Sequence, residues 1–255
     1  MPETIVIFDA TIELNSKLLL LFAVVYIAGI IRGFTGFGSA LLTVPALAVL
    51  YGPVEAVVIE VLIEIPVSLG LLPVVLRKAE RKTILPMLAM FVVFVPIGAL
   101  FLKVVDPDLM KILISVLVLF FVAIIAMQDK LALLLSRSGI IAAGIFSGFS
   151  QGLTGMAGPL FATALLARGE DASLTRANIA ALAGGVIAVS VISFFAVGLV
   201  SLQAVIYAAL STPAILLGVW TGAVLFGRFS HLNLRGIILV FLAVTALVTL
   251  FQAIA

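Results

Sequence analysis

The stretch that decides the fold is GFTGFGSALLTVPAL at residues 33–47, because a related stretch, GLTGMAGPLFATAL, follows at residues 152–165. Identical residues of the two stretches are separated by one offset of 119 positions: Gly33, Thr35, Gly36 and Leu41 match Gly152, Thr154, Gly155 and Leu160. That offset is nearly half of the 255-residue chain and indicates two copies of one unit. Each copy interrupts apolar sequence with glycine and hydroxyl residues, which is typical of a duplicated transporter whose site lies at broken helices.

The composition places both copies in a membrane. Apolar residues make up 64% of the chain and charged residues 10%, and the mean hydropathy is +1.42. A soluble domain is about half apolar and a quarter charged. The chain has no cysteine, which excludes disulfides, thiolate metal sites and cysteine nucleophiles. Its first sixteen residues carry three acids and no base before Lys17, so we expect no cleaved signal peptide.

Apolar segments long enough to cross a bilayer follow one another along the chain. Two of them, 17–51 and 139–168, contain the glycine motifs and are predicted to be broken there. Single helices are predicted at 53–76, 83–102, 109–128, 173–198, 201–225 and 233–254. The sequence thus predicts an all-α polytopic membrane protein in which each repeat is a broken or re-entrant helical hairpin plus three transmembrane helices. The predicted units are an external tail (1–16), the first repeat (17–132) and the second repeat (133–255), within one membrane domain.

The basic residues predict how the segments cross, because lysine and arginine concentrate on the cytoplasmic side. If each broken segment returns to the side it entered, only Lys17, Lys103 and Lys111 lie outside. Ten then lie inside: Arg77, Lys78, Arg81, Lys82, Lys130, Arg137, Arg168, Arg176, Arg228 and Arg235. If each broken segment crossed the membrane once, seven basic residues would lie inside and six outside, which is no bias. We therefore predict that both termini lie outside and that the repeats are inverted, with the motifs near the midplane.

The helix breaks are predicted to bind an anion. Backbone groups freed at a break must be buried in protein or line a watered cavity. We expect Ser39 to cap a returning helix that begins near Ala40, and Pro159 to occupy the first position of the equivalent helix. A helix N-terminus carries about half a positive charge and attracts anions, and Thr35 and Thr154 add hydroxyl donors. The alternative is that the glycines only permit close helix packing.

Polar residues precede both breaks, Arg32 in the first copy and Gln151 in the second. A guanidinium suits an oxyanion because its planar fork donates parallel hydrogen bonds. Glu60 and Glu64 share a helix face, and two buried carboxylates one turn apart rarely stay ionised together, so they are candidates for proton coupling. The alternative is a permanent ion pair between Arg32 and one of these acids. We predict no catalytic residue, no metal site, no cofactor and no nucleic-acid partner.

The motifs GFTGFGSALLTVP and GLTGMAGPL, each opening one half of the chain, resemble those of the sulfite exporter TauE/SafE family. The resemblance covers essentially the whole chain. It implies a secondary transporter of the bacterial inner membrane, an exporter of small sulfur-containing oxyanions such as sulfite or organosulfonates. The second copy departs from the first at Ala157, opposite Gly38, and at Ala164, opposite Pro45.

Substrate-binding residues follow from the motifs and the polar residues before them: Arg32, Gly33, Thr35, Gly36, Gly38, Ser39, Gln151, Gly152, Thr154, Gly155, Gly158 and Pro159. The expected partners are a small anion, the lipid bilayer and protons. A passive anion channel, a transporter of a non-sulfur organic anion and an intramembrane enzyme stay open as alternatives. The oligomeric state is left open by the sequence.

Overall fold

The computed structural model describes residues 3–7, 10–14, 16–127 and 137–229, which form helices and one short hairpin. The helices are α1 Ser16–Thr35, α2 Ser39–Tyr51, α3 Pro53–Lys78, α4 Arg81–Val104, α5 Pro107–Ala126, α6 Arg137–Thr154, α7 Gly158–Leu166, α8 Ala172–Val197 and α9 Leu202–Phe229. The hairpin pairs β1 Glu3–Ile7 with β2 Ala10–Leu14 in antiparallel register. The hairpin lies in the predicted N-terminal tail, for which no secondary structure was predicted.

The predicted all-α polytopic membrane protein is confirmed. Five helices of the described part, α1, α4, α5, α8 and α9, are long and apolar enough to cross a membrane. Large apolar side chains such as Leu19 (71% exposed) and Ile192 (70% exposed) lie on the surface, which suits lipid rather than water. The span predicted at 233–254 and the C-terminus lie outside the described residues.

Both glycine motifs break their segments into two helices. The first break separates α1 from α2 at residues 36–38, and the second separates α6 from α7 at residues 155–157. The Tyr51 hydroxyl at the end of α2 donates to the Lys17 carbonyl at the start of α1 over 3.2 Å, so α2 returns to the end of the molecule where α1 begins. Ile140 near the start of α6 and Arg168 beyond α7 line one pocket. Each broken segment is therefore a hairpin.

Glycines bring the broken helices into close contact with a long helix of the other half. A Cβ atom at Gly33 would lie 2.1 Å from the Val219 carbonyl oxygen on α9. At Gly152 it would lie 2.0 Å from the Val95 carbonyl oxygen on α4. Only a hydrogen atom fits at such distances. Gly33 and Gly152 therefore permit close helix packing, as the alternative interpretation of the glycines predicted.

Side chains predicted to lie on opposite sides of the membrane gather at opposite ends of the helices. At one end the Lys78 ammonium donates to the Ser173 hydroxyl over 2.9 Å. At the other end the rings of Tyr51 and Tyr207 are 4.7 Å apart, and the Lys103 ammonium donates to the Val197 carbonyl. Which end faces the cytoplasm stays a prediction.

Candidate functional site

A partly open cavity lies where the two helix breaks meet. Its volume is about 50 Å³, roughly the room of three to four water molecules. The polar side chains that line it are those of Arg32, Ser39, Glu60, Glu64 and Gln151. The apolar part of the lining includes Met156, Phe161, Ala183, Val186 and Ile187. α1, α2, α3, α6, α7 and α8 all contribute residues to the cavity or to the breaks beside it.

Arg32 forms a buried ion pair with Glu64. The Arg32 Nε donates to the Glu64 Oε2 over 3.1 Å, and the two side chains are 5% and 7% exposed. This contact uses one of the five N–H donors of a guanidinium. Among the described residues the guanidinium makes no other hydrogen bond, so its remaining donors are available at the cavity wall.

Ser39 does not cap the returning helix, and that prediction was wrong. The cap residue of α2 is Gly38, at φ 95°, and no side chain caps this N-terminus. The Ser39 hydroxyl instead lies 2.8 Å from Glu60 Oε1 and 2.6 Å from Glu64 Oε1. The reason is that two carboxyl groups on α3 face the first residue of α2 and provide stronger acceptors than the local backbone.

The two breaks share one backbone turn and then diverge. The Gly36 N–H donates to the Arg32 carbonyl and the Gly155 N–H donates to the Gln151 carbonyl, each over 2.8 Å. Gly36 and Gly155 both have left-handed backbone conformations, at φ 85° and 71°. The first break needs a second left-handed residue, Gly38, whereas Ala157 at the matching position of the second break has φ −115°. An alanine is tolerated there for that reason.

The threonine hydroxyls predicted to face substrate are bonded to the backbone of the breaks. Thr35 donates to the Ile31 carbonyl over 2.8 Å and also contacts the Phe37 carbonyl. Thr154 is fully buried and donates to the Ser150 carbonyl over 2.9 Å. Neither threonine lines the cavity. Their contacts fit a role in holding the shape of the two turns.

Ser150 is a residue that the sequence analysis missed. Its hydroxyl donates to the Met156 carbonyl over 2.7 Å and so spans the second break. The equivalent carbonyl of the first break, that of Phe37, is contacted by Thr35 instead. A hydroxyl residue one turn before Thr154 was the available signal.

The predicted site residues separate into two groups. The cavity is lined by Arg32, Gly38, Ser39, Gln151, Gly155, Gly158 and Pro159, together with the predicted proton-coupling residues Glu60 and Glu64. The others lie behind it, in the turns or the helix contacts: Gly33, Thr35, Gly36, Gly152 and Thr154. Substrate binding by either group stays a prediction.

Unused donors face the cavity from the second half of the chain. Gln151 is 2% exposed, and its Nε2 has no hydrogen-bond partner among the described residues. α7 begins at the cavity and, like α2, has no side-chain cap. Pro159 is the second residue of α7 rather than the predicted first, which still places its missing N–H in the first turn. Two uncapped helix N-termini therefore leave positive partial charge at this site.

The apolar wall had no distinct signal in the sequence. Ala183, Val186 and Ile187 are apolar residues of the apolar helix α8. Ala183 stands 119 positions after Glu64, so the second copy carries a methyl group where the first carries a carboxylate. The first half of the chain consequently contributes all the charged side chains of the lining, whereas the second half contributes mainly apolar ones and the Gln151 amide. Among the described residues, no cluster of three metal-ligating side chains occurs.

Comparison with known proteins identifies a family. The sequence model described as Sulfite exporter TauE/SafE matches residues 21–249, which is most of the chain and includes both breaks. No curated protein and no solved structure shows significant similarity to the chain.

Proposed function

The chain belongs to the sulfite exporter TauE/SafE family, a family of membrane transporters, and from this premise we propose that it exports small sulfur-containing oxyanions across the bacterial inner membrane. The observation that carries the proposal is the cavity at the two helix breaks, where the buried Arg32 side chain retains unused N–H donors. Substrates of this kind include sulfite and organosulfonates.

The chemistry of the cavity suits an oxyanion. A guanidinium binds planar arrays of oxygens through parallel hydrogen bonds. The unpartnered Gln151 amide adds a neutral donor from the other half of the chain. The uncapped N-termini of α2 and α7 add partial positive charge. Together these groups replace hydration around a small anion without presenting a second full positive charge.

The size and shape of the cavity favour a small ligand with an apolar side. A volume of about 50 Å³ suits an ion of a few heavy atoms. The wall formed by Phe161, Val186 and Ile187 offers no hydrogen bond to such an ion. We therefore expect sulfite and short alkyl sulfonates to bind more tightly than sulfate, which is polar on all sides.

The helix contacts support the proposed inverted repeats. In the relation between the two halves, α1 corresponds to α6 and α9 corresponds to α4. The contact between α1 and α9 therefore corresponds to the contact between α6 and α4. These are the two most extensive helix contacts among the described residues, and in both of them glycines allow the helix backbones to approach closely. Movement of one half against the other around the shared cavity would expose it to each side in turn.

Transport of sulfite by proteoliposomes tests the function. We expect saturable uptake of labelled sulfite that is accelerated by unlabelled sulfite on the other side. Gln151→Leu removes a donor at the cavity and is expected to cost about 1–3 kcal/mol of substrate binding, which raises Kd about 5- to 150-fold. Gln203→Leu, at an exposed position near the start of α9, is the matched control. Sulfite flux that neither saturates nor shows counterflow would favour a passive channel. Uptake of carboxylates but not of sulfite would favour a transporter of a non-sulfur organic anion.

The sides of the membrane are tested by single cysteines, since the natural chain has none. Ala79→Cys, between α3 and α4, is expected to be protected from an impermeant maleimide in intact cells. Asp108→Cys, in the exposed first turn of α5, is expected to react. Reaction at Ala79→Cys with protection at Asp108→Cys would reverse the orientation.

A further inference from the structure

Two carboxyl groups meet at one hydroxyl group in the cavity. Glu60 Oε1 and Glu64 Oε1 lie 2.8 Å and 2.6 Å from the Ser39 Oγ, and both distances are those of hydrogen bonds. A hydroxyl has a single hydrogen and donates to only one acceptor, while an ionised carboxylate has none to donate. Both contacts are satisfied only if one of the two carboxyl groups carries a proton and donates it to Ser39.

The charges that face this pair are few. α1 contributes Arg32, whose Nε is 3.1 Å from Glu64. α2 contributes the Ser39 hydroxyl, and α6 contributes the neutral amide of Gln151. α7 and α8 contribute only apolar or backbone groups to the cavity lining, and no other ionisable side chain of the described residues lines it. With one proton on the pair, Arg32, Glu60 and Glu64 have a combined charge of zero.

An arriving anion disturbs this balance. It is attracted to the free donors of Arg32, but it brings a negative charge among buried side chains whose charges already balance. An uncompensated buried charge is costly, so the site responds by neutralising one of its own groups. Glu64 is the group in question because it competes with the anion for the same guanidinium. Protonation of Glu64 releases Arg32 and returns the cavity to zero charge.

Resting on the proposed function, we propose that binding of a monovalent anion at Arg32 is coupled to uptake of one proton by the Glu60–Glu64 pair, with Ser39 bridging the two carboxyl groups. In this step an O–H bond of hydronium in bulk water breaks and an O–H bond at the Glu64 carboxyl forms, with no change of oxidation state. One N–H···O contact of Arg32 is exchanged for a contact to the anion. The transporter then moves an anion and a proton together.

This coupling determines what drives transport. An anion that leaves the cell alone is driven outward by the inside-negative membrane potential. An anion that travels with one proton moves no net charge, so its flux responds to the pH gradient and not to the potential. Export then proceeds when the outward concentration gradient of the anion exceeds the inward pH gradient, which suits the removal of an accumulated product.

The test measures binding of methanesulfonate to the purified protein, because this ion keeps one charge from about pH 5 to pH 8 while sulfite does not. Uptake of one proton per anion makes Kd fall about tenfold for each unit by which the pH is lowered. Titration calorimetry in buffers of different ionisation heats counts the protons directly. We expect about one proton per anion in the natural protein and in Glu55→Gln, a matched variant at the start of the same helix α3.

The double variant Glu60→Gln/Glu64→Gln has no carboxyl group left in the cavity. It is expected to bind methanesulfonate with a Kd that no longer changes with pH. A pH-independent Kd in the natural protein, or an unchanged proton count in the double variant, would overturn the coupling while leaving the proposed function intact. A Kd that depends on the sodium concentration at fixed pH would indicate that the coupled ion is sodium and not a proton.

The remaining outcomes are also distinguishable. If neither methanesulfonate nor sulfite binds at any pH, the proposed function fails and the coupling fails with it. Size-exclusion chromatography and thermal unfolding establish whether the double variant is folded. If it is not, the proton count of the natural protein by calorimetry still decides, since a count of zero contradicts the proposal.

Discussion

Alanine at Gly152 is expected to destabilise the folded protein by about 3 kcal/mol or more. The new Cβ would lie 2.0 Å from the Val95 carbonyl oxygen and 2.7 Å from the Ala99 nitrogen. Both atoms belong to the backbone of α4, which cannot rotate away as a side chain would, so the α4–α6 pair must separate. The measurement is thermal or denaturant unfolding in detergent, together with the yield of monodisperse protein.

Gly70→Ala provides the matched control for this substitution. Gly70 lies within α3, and a Cβ there would meet no atom within 4 Å. Because alanine favours a helix over glycine by up to about 1 kcal/mol, we expect equal or slightly greater stability. Gly33→Ala is expected to behave like Gly152→Ala, since its Cβ would lie 2.1 Å from the Val219 carbonyl on α9. Normal stability and transport in Gly152→Ala would contradict the close α4–α6 packing.

The helices and their breaks could be predicted because their signals are local. The span predicted at 173–198 is α8 at Ala172–Val197, and the segment 17–51, predicted to be broken at its glycine motif, is interrupted between α1 and α2 at residues 36–38. The apolar length and the glycines that interrupt it depend on neighbouring residues alone. The N-terminal hairpin also had a local signal, since ETIVI and ATIEL are rich in β-branched residues.

The partners of the polar residues could not be predicted, because they depend on how distant helices pack. Ser39 was expected to bond to its own helix, yet its partners are 21 and 25 residues further along the chain, on α3. Thr35 was expected to face substrate, yet its hydroxyl is bonded within its own turn. Motif matching identified the segments that form the cavity. It could not separate the residues that line the cavity from those that shape the turn behind it.

The second large effect is expected for Arg32. Arg32→Ala leaves Glu64 buried without its counter-charge, and breaking a buried pair on one side costs about 3–5 kcal/mol. We therefore expect strong destabilisation together with loss of transport. Lys111→Ala breaks an exposed ion pair with Asp108 and is the control, with an expected cost of about 1 kcal/mol or less. Loss of transport in Arg32→Ala alone does not separate a structural role from a role in anion binding.

The double variant Arg32→Ala/Glu64→Gln separates these roles. It removes both charges of the pair, so the cavity no longer contains an unpaired carboxylate at position 64 and most of the lost stability is expected to return. If Arg32 also contacts the anion, the refolded protein still binds sulfite at least about tenfold more weakly than the natural protein, because a charge-assisted contact contributes about 1.5–3 kcal/mol. If Arg32 serves only to neutralise Glu64, the double variant regains both stability and transport. Unfolding curves and sulfite binding measured on the same preparation distinguish the two roles.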